Sequence, residues 1–168
     1  MGLVYDVFAQ TLSGSVGDQR FQLRAFSGGG RGKSTGLDSG ETDLRSWLST
    51  TRTDQRRGIR GGPIPPGVYE CVYTANHHKF RECIFLKPAL SAVRIYTPFA
   101  NHPIDHRRSR FYIHGRGDHG SDGCIVPEDA SERKRLNAAI RDNPNVTLNV
   151  IHAAYELPAE LRIETQIV

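Results

Sequence analysis

Apolar residues in this chain occur in short alternating segments between glycines and prolines, and no uninterrupted apolar stretch is longer than five residues. Alternation over a few residues is typical of strands that bury one face. Among 168 residues, 17 are glycine and 9 are proline, which indicates many turns between these strands. Because a membrane-spanning helix needs about 20 apolar residues, the sequence predicts a β-rich chain without such a helix.

We expect one mainly β (β-rich α+β) domain over residues 1–168, a β-sandwich or barrel with one main helix. The first strand pair is expected to join Leu3–Leu12 to Phe21–Ala25 across the turn-rich segment Ser13–Asp18. Other segments with alternating polarity are Val68–Thr74, Cys83–Lys87, Ala92–Thr97, Arg110–His114, Val146–Ile151 and Leu161–Ile167.

Two segments have helical features. The main helix is expected to start at Pro127, since proline followed by acidic residues is typical of a first helical turn. Asn143-Pro144 ends it, and Glu41–Ser49 is a candidate for a shorter helix. The main helix presents an apolar stripe of Leu136, Ala139 and Ile140.

The charge balance argues against nucleic acid as the ligand. Lys and Arg number 22 against 18 Asp and Glu, a net charge of +4 that is spread along the chain. The arginine-rich segment from Arg45 to Arg60 lacks the interleaved aromatic residues that stack on bases. Such a basic segment attracts polyanionic cell-wall polymers equally well. We therefore expect no nucleic-acid partner and no membrane insertion.

The three cysteines, Cys71, Cys83 and Cys124, include no CxxC pair, and an odd number leaves at least one thiol free in the monomer. Cys71 and Cys83 fall on neighbouring predicted strands, so a disulfide between them and two reduced buried thiols both remain open. In either case Cys124 is expected to be free.

The segment from Phe111 to Ile125 carries the candidate chemistry. Alternation in its strand places Tyr112 and His114 on the face opposite the core. A polar loop with four glycines then leads to Cys124, shortly before the main helix. A thiol near an imidazole and a helix N-terminus is in an environment that favours the thiolate.

These residues predict a Cys/His nucleophile pair in which His114 takes the proton of Cys124 and later returns it to a leaving group. The backbone N–H groups of Gly123 and Cys124 are candidates for binding an oxyanion. Three groups are candidates for orienting the imidazole: the carbonyl of Gly115 and the side chains of Asp118 and Asp122. Tyr112 and His119 are candidate substrate contacts.

His114-Gly115 followed by Ser121-x-Gly123-Cys124 resembles the HG…S-x-G-C signature of the L,D-transpeptidase (YkuD-like) catalytic domain. The run Gly-Pro-Ile-Pro-Pro-Gly-Val-Tyr at 62–69 is similar to another element of that family. The ten-residue spacing from His to Cys looks closest to the branch of type VI secretion effectors. The resemblance extends over residues 5–151.

The resemblance implies that Cys124 is the acylated nucleophile, that His114 is its base, and that Ser121 and Gly123 shape the oxyanion and substrate end of the loop. Two positions depart from the family. Asp122 stands where the wall-building enzymes usually have His, and Val126 stands where many have Arg or Asn. Both positions help to hold the substrate or the nucleophile loop, so the acceptor specificity is left open.

The implied reaction is attack by Cys124 on the L-to-D peptide bond of a peptidoglycan stem tetrapeptide. Water then resolves the acyl-enzyme (L,D-carboxypeptidase), or an amine such as a free D-amino acid does so (L,D-transpeptidase exchange). No cofactor is implied. The partners implied are stem peptides, a secretion apparatus and a cognate immunity protein. The N-terminus has no signal-peptide pattern, so we expect synthesis in the cytoplasm, export by that apparatus and action as an antibacterial toxin in a target periplasm.

Three other functions are compatible with parts of the sequence. The first is a zinc-dependent peptidoglycan hydrolase, although no HExxH or CxxC motif is present; its ligands would come from His102, His106, His114, His119 and Cys124. The second is nucleotide binding through 27–34, which nearly spells a P-loop but lacks its first glycine. The third is a wall-binding module without catalysis, which would need neither His114 nor Cys124.

Overall fold

The computed structural model describes residues 2–28, 63–64, 67–89, 94–97, 100–105, 110–115, 121 and 123–151. Its strands are β1 Gly2–Asp6, β2 Thr11–Val16, β3 Gln19–Phe26, β4 Gly67–His77, β5 Arg81–Pro88, β6 Arg94–Thr97, β7 Ala100–Asp105, β8 Phe111–Ile113, β9 Val126–Pro127 and β10 Thr147–Ile151. A helix, α1, spans Ala130–Asp142.

Eight of these strands form one sheet in the order β8-β5-β4-β10-β1-β2-β3-β9. The β1–β10 pair is parallel, and the other strand pairs in this sheet are antiparallel. The two ends of the sheet approach each other, because Ile113 at the end of β8 forms a parallel bridge with Ile125 just before β9. The chain is therefore mainly β, with a nearly closed, barrel-like sheet and a helix after Cys124, as the sequence predicted.

The N-terminal strand pair is placed differently from the prediction. The segment Leu3–Leu12 is two strands, β1 and β2, because a turn interrupts it at residues 7–10. The Asp6 carboxylate stabilises this turn by accepting hydrogen bonds from the N–H groups of Phe8 (2.9 Å) and Ala9 (3.0 Å). Gln10 completes the turn in the left-handed region, at a φ of 55°.

The turn predicted at Ser13–Asp18 is correspondingly shorter, and most of that segment is strand β2. The chain reverses only at Gly17-Asp18, where Gly17 has a φ of 60°. Gly14, which suggested a turn, lies inside the strand. It is required there because its φ is +135° and a side chain would collide with the backbone of β1.

The predicted strands between residues 67 and 151 are confirmed within a few residues at each end. One strand was not among those predicted: β7, which contains Pro103 and pairs with β6. The predicted helix Glu41–Ser49 and the predicted strand Leu161–Ile167 lie outside the described residues.

The predicted main helix is confirmed, except that it starts at Ala130 and not at Pro127, because Pro127 pairs with Ala25 as part of strand β9. The Asp129 side chain caps it by accepting hydrogen bonds from the N–H groups of Ser131 (2.7 Å) and Glu132 (2.9 Å). The helix ends at Asn143, directly before Pro144. The stripe of Leu136, Ala139 and Ile140 is buried against the sheet.

Cys71 and Cys83 are both buried free thiols, which answers the disulfide question for this structure. Cys71 pairs with Leu86 across the β4–β5 ladder, whereas Cys83 pairs with Thr74. A separation of three residues along a strand is about 10 Å, beyond the Cα–Cα reach of about 7 Å for a disulfide. Their side chains also point to opposite faces, because Cys71 packs into the core with Ile84 and Leu86.

Candidate active site

The structure brings Tyr112, His114 and Cys124 to the same face of two adjacent backbone segments. The His114 N–H donates to the Ile125 carbonyl (3.1 Å), and the Ile125 N–H donates to the Tyr112 carbonyl (2.9 Å). Ile113 and Ile125 face the core and are fully buried. Side chains alternate along extended backbone, so Cys124 projects to the side shared by Tyr112 and His114. Cys124 is half-buried, and His114 is 5% exposed.

The imidazole of His114 is oriented by the backbone of the next residue. Its Nδ1 lies 2.5 Å from the Gly115 carbonyl oxygen. Because a carbonyl oxygen only accepts, Nδ1 carries the proton and Nε2 of the neutral ring is left with its lone pair. Of the three orienting groups considered, the Gly115 carbonyl makes the contact, while Asp118 and Asp122 lie outside the described residues.

An aromatic stack fixes the plane of the same ring. Phe80 lies face to face with His114, with ring centroids 3.8 Å apart and an interplanar angle of 8°. His77 stacks on Phe80, with ring centroids 4.9 Å apart. The ring of Tyr112 contacts the rings of both His77 and Phe80. His77 Nδ1 also accepts the N–H groups of Lys79 and Phe80 at 3.2 Å each, which holds the β4–β5 turn in place.

The two adjacent histidines at the end of β4 differ in exposure, and His78 is the exposed one. His77 is half-buried and belongs to the stack behind His114. Phe80 was missed altogether. The antiparallel pairing of β5 with β8 sets Ile84 opposite Ile113, which places the β4–β5 turn at the His114 end of β8, but that register is known only once the strands are paired.

The charge environment favours the neutral form of His114. Burial lowers its pKa below the ordinary value of 6.5, and the hydrogen bond with Gly115 opposes this effect. The positive charges of three nearby side chains lower that pKa further; they belong to Lys79, Arg133 and His77. His114 is therefore a neutral imidazole at pH 7, able to accept a proton at Nε2.

Arg133 on α1 is a second residue that sequence reasoning missed. Its guanidinium occupies the position that a side chain at residue 115 would take, so a larger residue there would displace it. Arg133 itself is half-buried. This contact places a permanent positive charge one residue from the candidate base.

The loop that leads to Cys124, the candidate nucleophile loop, is organised by Ser121, which is 6% exposed. Its hydroxyl donates to the Cys124 carbonyl (2.6 Å) and accepts the N–H groups of Gly28 (3.2 Å) and Gly123 (3.3 Å). Gly123 has a φ of +114°, which side chains rarely allow. Because the Gly123 N–H already donates to Ser121, a hydrogen bond from it to an oxyanion would compete with that contact.

Ser27, which directly follows β3, connects this loop to the rest of the fold through hydrogen bonds. Its buried hydroxyl donates to the Gly123 carbonyl (3.0 Å) and accepts the Ile64 N–H (2.9 Å). The Ser121 N–H donates to the Gly28 carbonyl (2.8 Å). Ser27 and Gly28 begin the segment that resembles a P-loop, and both contact the nucleophile loop; the rest of that segment lies outside the described residues.

Tyr112 is half-buried on the site face. Burial raises the pKa of its hydroxyl, and the nearby Cys83 and Cys124 thiols raise it further. Tyr112 is therefore neutral at pH 7 and able to donate a hydrogen bond to a ligand. The other two candidate substrate residues, His119 and Asp122, lie outside the described residues.

The alternative metal site involves residues that the structure describes only in part. Among the described side chains, no group of three or more His, Cys, Asp or Glu is arranged to hold a metal ion. Of the five candidate ligands, however, only His114 and Cys124 have described side chains. The zinc hypothesis therefore stays an alternative that requires measurement.

Comparison with known proteins gives no relative. The chain matches no family model, no curated protein and no solved structure. Within the described residues, no helix is both long and apolar enough to cross a membrane.

Proposed function

We propose that this protein is a cysteine-dependent enzyme that modifies peptidoglycan, an L,D-carboxypeptidase or an L,D-transpeptidase that exchanges D-amino acids on stem tetrapeptides. The observation that carries the proposal is the placement of a half-buried thiol, Cys124, on the same face as His114, whose Nδ1 proton is held by the Gly115 carbonyl. This arrangement leaves Nε2 as the acceptor that a thiol nucleophile requires.

In the first half-reaction, Nε2 of His114 takes the thiol proton and Sγ of Cys124 attacks the carbonyl carbon of the third stem residue. A C–S bond forms, and the resulting oxyanion accepts a hydrogen bond from the Cys124 N–H. Collapse of this intermediate breaks the C–N bond. The imidazolium gives its proton to the departing amine, which leaves a thioester on Cys124 and a free D-amino acid.

In the second half-reaction, His114 removes a proton from water or from an incoming amine, which attacks the thioester. The C–S bond breaks, and the thiolate takes the proton back from the imidazolium. Water gives a tripeptide, and a D-amino acid gives an exchanged tetrapeptide. The lowered pKa of His114 supports this cycle, because the base is unprotonated at the start of each half-reaction.

The hydrogen bonds of Ser121 and Ser27 support the proposal from the side of the loop. They bind the backbone on both sides of Gly123 and hold Cys124 at a fixed position beside β8. A nucleophile that must be aligned with its base benefits from such rigid support. A wall-binding module that uses neither side chain would gain nothing from it.

Mass spectrometry of purified muropeptides tests the proposal with wild-type protein and with the matched variants Cys124→Ala and Cys71→Ala. We expect the wild type to remove D-alanine from tetrapeptides or to exchange it for an added D-amino acid. Cys124→Ala should be inactive, and Cys71→Ala should be active wherever it folds. Unchanged muropeptides with folded wild type contradict the proposal. Activity that survives Cys124→Ala but is lost with a chelator favours the zinc alternative.

The proposal extends to a role as an interbacterial toxin delivered by a type VI secretion apparatus and neutralised by a cognate immunity protein. A growth assay separates this role from wall metabolism in the producing cell. Wild-type protein directed to the periplasm of a Gram-negative host should stop growth, whereas Cys124→Ala and cytoplasmic wild type should not. Normal growth with active periplasmic enzyme contradicts the toxin role and leaves the enzymatic proposal standing.

A further inference from the structure

Arg133 differs from the neighbouring arginines of α1 in what it contacts. Arg135 forms an ion pair with Glu132 (2.7 Å) and lies 4.1 Å above the ring of Phe21. Arg141 pairs with the adjacent Asp142 (2.8 Å). The Arg133 guanidinium instead packs against the backbone of Gly115, and within the described ranges it forms no ion pair with a carboxylate.

A half-buried guanidinium beside a catalytic base is an unfavourable neighbour unless an anion joins it. Arg133 lowers the pKa of His114, so it opposes the imidazolium that forms during each half-reaction. A carboxylate on the substrate would neutralise that charge and bind the planar guanidinium through two parallel hydrogen bonds. The position therefore fits an anionic group that arrives with the substrate.

We infer that Arg133 binds the carboxylate of the D-amino acid whose nitrogen leaves or enters at His114, an inference that rests on the proposed function. His114 must reach that nitrogen to give or take its proton. In a C-terminal amino acid, the carboxylate is attached to the same carbon as the nitrogen. A cation one residue from His114 is therefore placed to hold this carboxylate while the C–N bond breaks or forms.

This arrangement agrees with the substrate class of the proposed function. The bond that is cut joins the stem to a terminal residue with a free carboxylate, and the amine that resolves the thioester is an α-amino acid rather than a simple amine. When the bond breaks, the nitrogen receives the proton from His114 and the carboxylate stays on Arg133, so the departing product is a complete zwitterionic D-amino acid. The enzyme is thus specific for the chain end.

Lys79 provides an internal comparison, because it also lowers the pKa of His114 but reaches the ring from another direction. Its Nζ lies 5.2 Å from the centroid of Phe80, the ring that stacks on His114. Lys79 is exposed on the β4–β5 turn, whereas Arg133 is half-buried on the helix. Removing Lys79 changes the electrostatic potential at His114 without removing the contact at Gly115.

The test compares two donors, a stem tetrapeptide that ends in D-alanine and the same peptide that ends in D-alaninamide. A charge-assisted, two-pronged contact predicts that wild type prefers the acid by about 10- to 100-fold in kcat/KM. Arg133→Gln should reduce this preference to less than about threefold. Arg133→Lys should show an intermediate preference, because lysine keeps the positive charge but cannot form the two parallel hydrogen bonds of a guanidinium. Lys79→Gln and the exposed helix control Lys134→Gln should keep the wild-type preference.

A second measurement uses wild type alone and needs no variant to fold. With tetrapeptide as donor, D-alanine should compete with water for the acyl-enzyme far better than D-alaninamide does. Equal use of acid and amide by wild type, as donor or as acceptor, overturns the inference, as does a wild-type preference in Arg133→Gln. Inactivity of wild type on both donors is a different result, because it overturns the proposed function itself.

Discussion

The hydroxyl of Ser121 holds together the loop that leads to Cys124, and its removal should lower both the stability of the fold and the proposed activity. In Ser121→Ala, the hydrogen bond to the Cys124 carbonyl (2.6 Å) is lost, and the N–H groups of Gly28 (3.2 Å) and Gly123 (3.3 Å) lose their acceptor. The site is 6% exposed, so water replaces these bonds poorly. At about 1 kcal/mol for each bond, the free energy of unfolding should fall by about 2–3 kcal/mol.

Thermal unfolding followed by circular dichroism measures this loss. A domain of this size changes its Tm by about 2–4 °C for each kcal/mol, so Ser121→Ala should melt about 5–10 °C below the wild type. Ser131→Ala is the matched control, because the Ser131 hydroxyl donates to Asp129 (2.6 Å) at an exposed position. We expect the control to stay within about 2 °C of wild type.

Activity provides an independent readout of the same variant. At a temperature where Ser121→Ala is folded, Cys124 should be acylated more slowly, because its backbone is no longer tied to Gly28. A Tm for Ser121→Ala equal to that of Ser131→Ala would refute the reasoning, since it would mean that the three hydrogen bonds contribute nothing to the folded state. A large loss of Tm with wild-type acylation would separate loop stability from nucleophile placement.

Two other perturbations test the surroundings of His114. The pKa of His114 lies below the ordinary value of 6.5, so the unfolded chain binds more protons than the folded protein as the pH falls through that value, and the free energy of unfolding should decrease there. The acid limb of kcat/KM should also lie below pH 6.5, and an acid limb above 6.5 would contradict this. Lys79→Gln should move that limb to higher pH. Gly115→Ala fills the space of the Arg133 guanidinium. The preference of this variant for the acid over the amide donor, in kcat/KM, should therefore match that of Arg133→Gln within about threefold. A wild-type preference in folded Gly115→Ala would contradict the contact.

Local signals made much of the fold predictable. The start of α1 within three residues of Pro127, its end before Pro144 and the alternation in β4, β5 and β10 each depend on residues within one turn or one strand. The error at residues 7–10 was also local. Alternation continued across the break, and the turn depends on Asp6, whose side chain forms hydrogen bonds that composition alone does not reveal.

The residues of the candidate site also divide into those that a local sequence pattern marks and those that only the packed structure reveals. His114 and Cys124 lie ten positions apart in one glycine-rich segment, so the sequence alone predicted them as a pair. Ser27 binds the backbone of Gly123 across 96 positions of sequence, and no local pattern marks that contact. Phe80 and Arg133 reach His114 only after β5, β8 and α1 have packed, and an arginine on a charged helix face has no distinguishing neighbours in the sequence.

The closure of the sheet and the assembly of the site depend on the same contact. Without the Ile113–Ile125 bridge, β8 would end the sheet with unpaired backbone groups. In the bridge, the His114 N–H donates to the Ile125 carbonyl and the Ile125 N–H donates to the Tyr112 carbonyl. Both isoleucines of the bridge are buried. That register also sets Cys124 beside Tyr112 and His114, since a shift of one residue would turn the thiol toward the core. The same apolar burial that closes the barrel therefore places Cys124 on the face of Tyr112 and His114, and the hydroxyls of Ser121 and Ser27 hold the loop that leads to it.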